Sequence, residues 1–420
     1  MRILFYLPAN HTYWFDNVVA PMIRCAVRGG AEVHVIVPPL WSPPDPAYAQ
    51  FATGITAEQL QSCADLPDVR WHIVDDEDHL SLRTVPTAPE KLIDFVRAID
   101  PDYTFCRGAD VWTPNAFPGQ VRFLMEGEFP PLPPTVVPGG ARHWRTPARA
   151  CRRIVMLGPR LYDHGIVPPL DTDQRASLLQ QVAPAWHALC NWRSGQGGSR
   201  EAYLAQVGLP TDRRILAVPL ILDGPHSFFG ELHSLEPSNL VLVEKLLSQL
   251  DQDFILALTA HPIQQAFGGA TVDRIAALDP DRIRIVRAPG PLGNATLSLI
   301  QHCDGTIITD SKVFPEAPSL GKPMLRVSRY ASGAWMNVYD ELALMQSDIR
   351  AGTARTAAPE ETMLWYAFHY ANDAFAANDP ELMLADLIDR IERPLNPARW
   401  EANLSRYLDE KYGAFLAAVG

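Results

Sequence analysis

The stretch from Ile307 to Leu325, I-I-T-D-S-K-V-F-P-E-A-P-S-L-G-K-P-M-L, leaves this chain very few architectures. An apolar strand, Gly305 to Ile308, runs into the small polar residues Thr309, Asp310 and Ser311 and then into a helix start. Gly321-Lys322-Pro323 leads on to a second strand, Met324 to Val327. Continuous apolar strands joined through a helix pair in parallel and are covered on both faces. The polar groups then fall at the strand's carboxyl end, where open α/β sheets take their ligands. Backbone N–H groups at the helix start, with the Thr309 and Ser311 hydroxyls and Lys312, are expected to cradle a phosphate or diphosphate. Glu316, about one helical turn further on, is placed to accept hydrogen bonds from a ribose diol.

At 420 residues the chain exceeds one core and fits two domains of about 200 residues each. The boundaries read as a first Rossmann-like domain over 1–195, a linker over 196–212, a second Rossmann-like domain over 213–385, and C-terminal helices over 386–420 that pack back on the first. Gly195-Gln196-Gly197-Gly198-Ser199 is the linker signal. The net charge of -12 argues against nucleic acid as a partner and against a strongly basic membrane-binding face. No apolar run of about 18 residues would span a bilayer, so a lipid-linked substrate would be met peripherally. The opening strand, Arg2 to Leu7, is cut by Pro8 too early for a signal peptide. The cysteines, Cys25, Cys63, Cys106, Cys151, Cys190 and Cys303, form no C-x-x-C pair, which speaks against a zinc site and a disulfide framework and makes the cytoplasm the expected compartment.

In the first domain, strand Ile3–Leu7, a loop to Phe15, helix Asp16–Val27 stopped at Gly29-Gly30, and strand Glu32–Val37 follow in order. No G-x-G-x-x-G follows the first strand, so an ordinary dinucleotide site is not expected there. His11 and Thr12, in a loop rich in hydrogen-bonding and aromatic residues, read as acceptor-site lining, together with Arg107 and Glu128. Pro38 to Pro46 reads as a lid-like loop. Asp75-Asp76-Glu77-Asp78 and Asp171-Thr172-Asp173 have the spelling of metal clusters but read as solvated turns, so no metal is expected. Strand Tyr103–Cys106 ends in Arg107-Gly108-Ala109-Asp110, and strand Val121–Met125 ends in Glu126-Gly127-Glu128, which brings carboxylates to strand ends. A last strand covers Arg153 to Leu157. In the second domain, strand Arg214–Leu222 leads to Asp223, Ser238 caps a helix running to Leu250, and strand Phe254–Thr259 delivers His261-Pro262. An imidazole at such a strand end is able to offset charge on a bound phosphate.

Thr309-Asp310-Ser311 followed by Glu316-Ala317-Pro318-Ser319-Leu320-Gly321-Lys322-Pro323 resembles the nucleotide-binding segment of UDP-N-acetylglucosamine 2-epimerases and, more broadly, the C-terminal domain of GT-B glycosyltransferases. It departs from the epimerase pattern in the shorter gap Lys312-Val313-Phe314-Pro315, which lacks the Gly-Gly pair. The strand ends at Asp110 and Glu126 are similar to the epimerases' catalytic G-D-T and H-V-E-A-G, with Ala109 inserted and no His two residues before Glu126. Glu126 to Pro130, Val137-Pro138-Gly139-Gly140, and Val218-Pro219-Leu220 with Asp223 and Ser227 resemble the capsule polysaccharide synthesis family of Kdo- and sialyl-type transferases, also GT-B.

The resemblance implies a GT-B fold: α/β, with two Rossmann-like doubly wound domains facing a central cleft and a C-terminal helix crossing back near Pro394 to Pro397. It implies transfer of a sugar from a CMP- or UDP-linked nucleotide-sugar to a saccharide or glycolipid acceptor, in bacterial surface polysaccharide or glycoconjugate synthesis. The nucleotide-sugar is a substrate, so no cofactor is called for. His261, Pro262, Thr309, Ser311 and Lys312 would hold the phosphate, Glu316 the ribose, and Glu126, Asp223 or Asp110 would be the acceptor's base, with His261 assisting. The competing readings are a sugar-nucleotide epimerase or hydrolase, and an inactive GT-B binding subunit.

Overall fold

The computed structural model describes residues 1–420 apart from 47, 48, 50, 51, 67, 76, 78–80, 83–85, 108–112, 127–153, 159–166, 197, 224–234, 262, 263, 265–268, 292, 293, 312 and 420. Two compact units emerge. The first takes the described residues of 1–128 and 143–163 together with Asn372–Asn396, and the second those of 164–371 together with Pro397–Gly420.

The first unit is built on β1 (Arg2–Tyr6), β2 (Glu32–Val37), β3 (Val69–Ile73), β4 (Tyr103–Cys106), β5 (Gln120–Glu126) and β6 (Ile154–Gly158). Ile3, Leu4, Phe5 and Tyr6 have no exposed surface, the mark of a strand covered on both faces. β1 therefore lies at the centre, paired in parallel with β2 and β4, while β3 and β5 extend the parallel set outward. A π-helical turn, Phe15–Val19, leads into helix Ala20–Arg28, whose Met22, Ile23, Cys25 and Ala26 join the core with Phe5, Val33 and Val35.

The second unit has five parallel strands, β7 (Arg214–Pro219), β8 (Phe254–Thr259), β9 (Ile283–Ile285), β10 (Gly305–Ile308) and β11 (Met324–Arg326), in the order β11-β10-β7-β8-β9. The chain winds outward from β7 through β8 to β9, then returns to β7's other side with β10. That reversal opens a crevice at the carboxyl ends of β7 and β10. Asp304 fixes the return: its Oδ2 accepts from the Ile215 N–H at 2.7 Å and from Arg200 Nη2 at 2.8 Å, while its own N–H donates to the Ile215 carbonyl at 2.8 Å. Gly305 follows because a Cβ there would meet Ile349 Cδ1 at 2.9 Å. Both doubly wound sheets match the expected α/β class with two Rossmann-like units. Ser238 caps helix Asn239–Gln249 through Val241 N–H at 3.2 Å, as its sequence position predicts.

The sequence boundaries need correction where helices meet. Helix Thr172–Gln196 belongs to the second unit and buries Leu178, Val182, Ala185, Trp186, Leu189 and Arg193. Gly195 to Ser199 is no interdomain linker: the helix ends at Gln196, and Ser199 Oγ accepts from Ala202 N–H at 3.2 Å to cap helix Arg200–Val207 of the same unit. Gly and Ser punctuate helices as readily as they join domains, and only the apolar stripe decides between the two. Of the C-terminal helices, Leu384–Glu392 belongs to the first unit and Pro397–Val419 to the second.

β12 (Ala374–Ala376), which the sequence reading missed, pairs antiparallel with β6, itself antiparallel to β5. Buried Arg390 secures this segment by donating to the Asn372 carbonyl and, at 3.2 Å, to the Ala374 carbonyl, with its guanidinium 5.9 Å from the Phe375 ring. Arg390→Met should lower the stability of the full chain by roughly 2–4 kcal/mol, since it strands two buried carbonyls. Urea unfolding followed by circular dichroism checks this, and an unchanged midpoint would show that the segment is held by its apolar contacts alone.

Candidate functional site

At the carboxyl end of β10 the backbone turns through Thr309, Asp310 and Ser311 under a buried cation. Arg326 Nη1 donates to the Thr309 carbonyl at 2.6 Å, its Nη2 lies 3.7 Å from Asp310 Oδ1, and its guanidinium sits 5.4 Å over the Phe314 ring. Ser328 Oγ donates to the same Asp310 oxygen. Burial pushes the Asp310 carboxyl up to about 6 against the pull of Ser328 and Arg326, and burial brings Arg326 down to about 10. Asp310 thus ties β10 to the residues after β11. Thr309 is buried too, and its Oγ1 finds no hydrogen-bond partner among the described residues.

The amide cradle expected after Ser311 does not form as a helix N-terminus. The helix is a single turn, Glu316–Ser319, entered through Pro315 and carrying Pro318, which has no N–H to offer. Upstream amides are spent inside the turn, Phe314 N–H on the Ser311 carbonyl at 3.1 Å and Glu316 N–H on the Val313 carbonyl at 3.0 Å. Those two amides are therefore committed within the turn.

Glu316 opens that single turn, and its Oε2 is buried without a partner among the described residues. Burial pushes its carboxyl up to about 8, moderated by the Arg193 guanidinium. Arg193 donates to the Ser319 carbonyl at 2.8 Å and to Ser319 Oγ at 3.3 Å, and Ser319 Oγ donates to the Glu316 carbonyl at 2.9 Å. Tyr366, from helix Pro359–Phe368, also interacts electrostatically with both Glu316 and Arg193; its hydroxyl is buried and unpartnered among the described residues, and its ring packs 5.3 Å from Trp186. Sequence reasoning found neither Arg193 nor Tyr366. The signal for Arg193 is a basic residue in the apolar stripe, four after Leu189.

On the neighbouring strands, His261 follows β8, and burial holds its imidazole below the ordinary value. Asp223 follows β7. Its Oδ2 accepts from the Asn239 N–H at 2.8 Å, and its own N–H donates to Gln264 Oε1 at 2.9 Å, so it helps start helix Asn239–Gln249. Thr309, Ser311, Asp223 and His261 thus all follow the carboxyl ends of the adjacent strands β10, β7 and β8.

In the first unit, His11 and Arg107 follow the carboxyl ends of adjacent β1 and β4. His11 Nδ1 lies 2.8 Å from the Ala52 carbonyl, and the Arg107 guanidinium stacks 4.3 Å over Trp14; Thr12 is exposed. Glu126 is the last residue of β5, next to β4. Asp110, Glu128, Pro262 and Lys312 lie outside the described residues.

Other sequence expectations change. Glu77 is buried rather than solvated, accepting from Ser81 Oγ at 2.5 Å, Thr87 N–H at 3.0 Å and Ala88 N–H at 2.9 Å. Burial alone would raise its pKa, but these bonds outweigh it and hold the carboxyl below its ordinary value. Asp171 caps helix Thr172–Gln196 instead of lying in a turn, with Gln174 N–H donating to its Oδ1 at 2.8 Å and Gln174 Oε1 accepting from its N–H at 3.0 Å. The loop after Pro38 is closed at its base, where Trp41 and Thr53 exchange backbone hydrogen bonds at 2.8 and 3.0 Å. Gly54 permits this close return: its φ is +96°, and a Cβ there would meet the Pro39 carbonyl oxygen at 2.1 Å. Among the described residues no helix is long and apolar enough to cross a membrane.

No family model and no curated protein matches the chain. Similar solved structures include the Thermosulfurimonas dismutans KpsC β-Kdo 2,7 transferase, at 11% identity and TM-score 0.41 over 84% of this chain and 97% of that one. The Neisseria meningitidis UDP-GlcNAc 2-epimerase bound to UDP-GlcNAc is 13% identical with TM-score 0.25, over 97% and 99% of the two chains. A glycosyltransferase from Rickettsia africae is 10% identical with TM-score 0.30, over 97% and 98%. Likeness at this level assigns no activity to this chain.

The raised Glu316 pKa has a stability consequence of definite sign. The stabilising contribution of neutral Glu316 is fully present below the unfolded carboxylate value and is lost as pH rises through about 8. Glu316→Gln should therefore melt close to wild type in acid and progressively above it through mildly alkaline pH. Calorimetric melting temperatures across that range check this, and a difference that does not grow with pH would mean that Glu316 is already ionised in the folded state.

Proposed function

We propose that the chain is a metal-independent glycosyltransferase that moves a sugar from a CMP- or UDP-linked donor to a saccharide or glycolipid acceptor in surface polysaccharide or glycoconjugate synthesis. The observation that carries this is the gathering of Thr309, Ser311, Asp223 and His261 after adjacent strands at the second sheet's crossover, with Glu316 on the turn behind Ser311. A crevice at such a point suits a nucleotide. Thr309 Oγ1 and Glu316 Oε2 are buried polar atoms without partners among the described residues, and a bound nucleotide would satisfy both.

In this mechanism His261 meets the phosphate as a neutral N–H donor, in keeping with its lowered pKa, beside the Thr309 and Ser311 hydroxyls, with Pro262 and Lys312 adjoining. Glu316 accepts the ribose hydroxyls. One of Asp223, Glu126 and Asp110 takes the proton from the attacking acceptor hydroxyl. Asp223 has one carboxylate oxygen committed to the Asn239 N–H, so as base it acts through the other. His11, Thr12, Arg107 and Glu128 contact the acceptor in this scheme.

Thr309→Val removes a hydroxyl that has no partner among the described residues, so the free protein should keep its stability to within about 1 kcal/mol while nucleotide binding weakens about tenfold. Calorimetric titration with CMP, UDP, GDP and TDP and a parallel melt measure both, and unchanged affinity for every nucleotide would remove Thr309 from the site. With donor alone, turnover should be slow and should accelerate when acceptor is added. Deuterium entering the donor sugar in D₂O without acceptor would identify an epimerase instead.

A further inference from the structure

A helix of one turn has no stability of its own, because its cost of nucleation is not recovered by propagation. The Glu316–Ser319 turn must be held by something outside it. The Glu316, Ala317 and Pro318 carbonyls accept from the Leu320, Lys322 and Gly321 N–H groups, which leaves the Ser319 carbonyl outside that set, as at a helix C-terminus. Arg193 answers both needs. Its guanidinium donates to the Ser319 carbonyl at 2.8 Å and to Ser319 Oγ at 3.3 Å, and that hydroxyl passes the contact to the Glu316 carbonyl at 2.9 Å. The side chain is only 5% exposed, and it comes from helix Thr172–Gln196, distant in sequence, whose Trp186 packs on Tyr366 of helix Pro359–Phe368. A planar fork able to bond a carbonyl and a hydroxyl together is a property of Arg that Lys lacks.

We infer that Arg193 is a positioning residue of the nucleotide site: its hydrogen bonds to Ser319 fix the turn that carries Glu316, and so hold that side chain where it accepts a ribose diol. This rests on the proposed role of Glu316 as the ribose acceptor. Among the described residues, the titratable groups electrostatically coupled to the carboxyl are Arg193 and Tyr366; Cys190 lies by Arg193, with Nη2 to Sγ at 3.8 Å, and Tyr370 and Tyr412 are coupled to Tyr366. Arg193 is the cation among them. Burial raises the Glu316 carboxyl and Arg193 opposes the rise, so losing Arg193 moves the ionisation to higher pH.

The test is calorimetric titration of the full chain with UDP and with CMP across neutral to alkaline pH, on wild type, Arg193→Gln, Arg193→Lys, Ser319→Ala and Glu316→Gln, each first shown to be folded by its melt. Wild-type affinity should rise with pH as Glu316 ionises. Arg193→Gln should bind about tenfold more weakly at neutral pH, with the rise displaced to higher pH. Arg193→Lys keeps the charge and should keep the position of the rise while losing a few-fold in affinity, and Ser319→Ala should do the same. A folded Arg193→Gln with wild-type affinity and pH profile overturns the inference. If that variant does not fold, Arg193→Lys and Ser319→Ala decide, and wild-type affinity in both overturns it equally. Glu316→Gln separates the two levels: weaker binding there beside an unaffected Arg193→Gln removes only the positioning role, whereas wild-type binding by Glu316→Gln removes the ribose role on which it depends.

Discussion

The second sheet depends on the clamp that Asp304 sets between β10 and β7. One carboxylate oxygen takes the Ile215 N–H and the Arg200 guanidinium together, and the backbone N–H of the same residue returns a bond to Ile215. β10 pairs with β7 over only Gly305–Leu216 and Thr306–Ala217, too short a ladder to fix register by itself. With the clamp in place, the crossover is set, and the ends of β10, β7 and β8 come side by side. The polar groups after those strands then follow one end of the sheet, although they are scattered over some ninety residues of sequence.

Buried charge is the second organising cost. Arg326 is buried against Asp310 of the turn after β10, and Arg193 is buried against the single-turn helix that Glu316 opens. Burying such groups is unfavourable unless each finds a partner, and here the partners are incomplete: the Glu316 Oε2 and the Tyr366 hydroxyl have none among the described residues. A core selected for stability alone would place apolar side chains there. Unsatisfied buried groups of this kind are costly, and the proposed function gives two of them, Thr309 Oγ1 and Glu316 Oε2, a partner in a bound nucleotide.

The backbone elements were largely legible because their signals are local. Strands Phe254–Thr259 and Gly305–Ile308 stand out as apolar runs bounded by turn residues, and Ser238 and Asn294 announce the helices that follow them. Strands alternating with helices were enough to call two doubly wound α/β units. The same local reasoning placed Asp223, His261, Thr309 and Ser311 at strand ends, since strand direction alone determines that.

What the tertiary structure decided was partnership. Glu77 reads as a solvated acid until the chain returns through Ser81, Thr87 and Ala88 to bond it, and the base of the Pro38 loop is set by Thr53 pairing with Trp41. Helix Thr172–Gln196 reads as part of the first domain until its apolar stripe is seen packed in the second, where Arg193 meets Ser319 from 126 residues away. Periodicity, capping and strand polarity are set within a few residues and survive in the sequence. The pairing of a buried cation with one particular carbonyl depends on which surfaces fold together, and nothing within a helical turn of Arg193 records that choice.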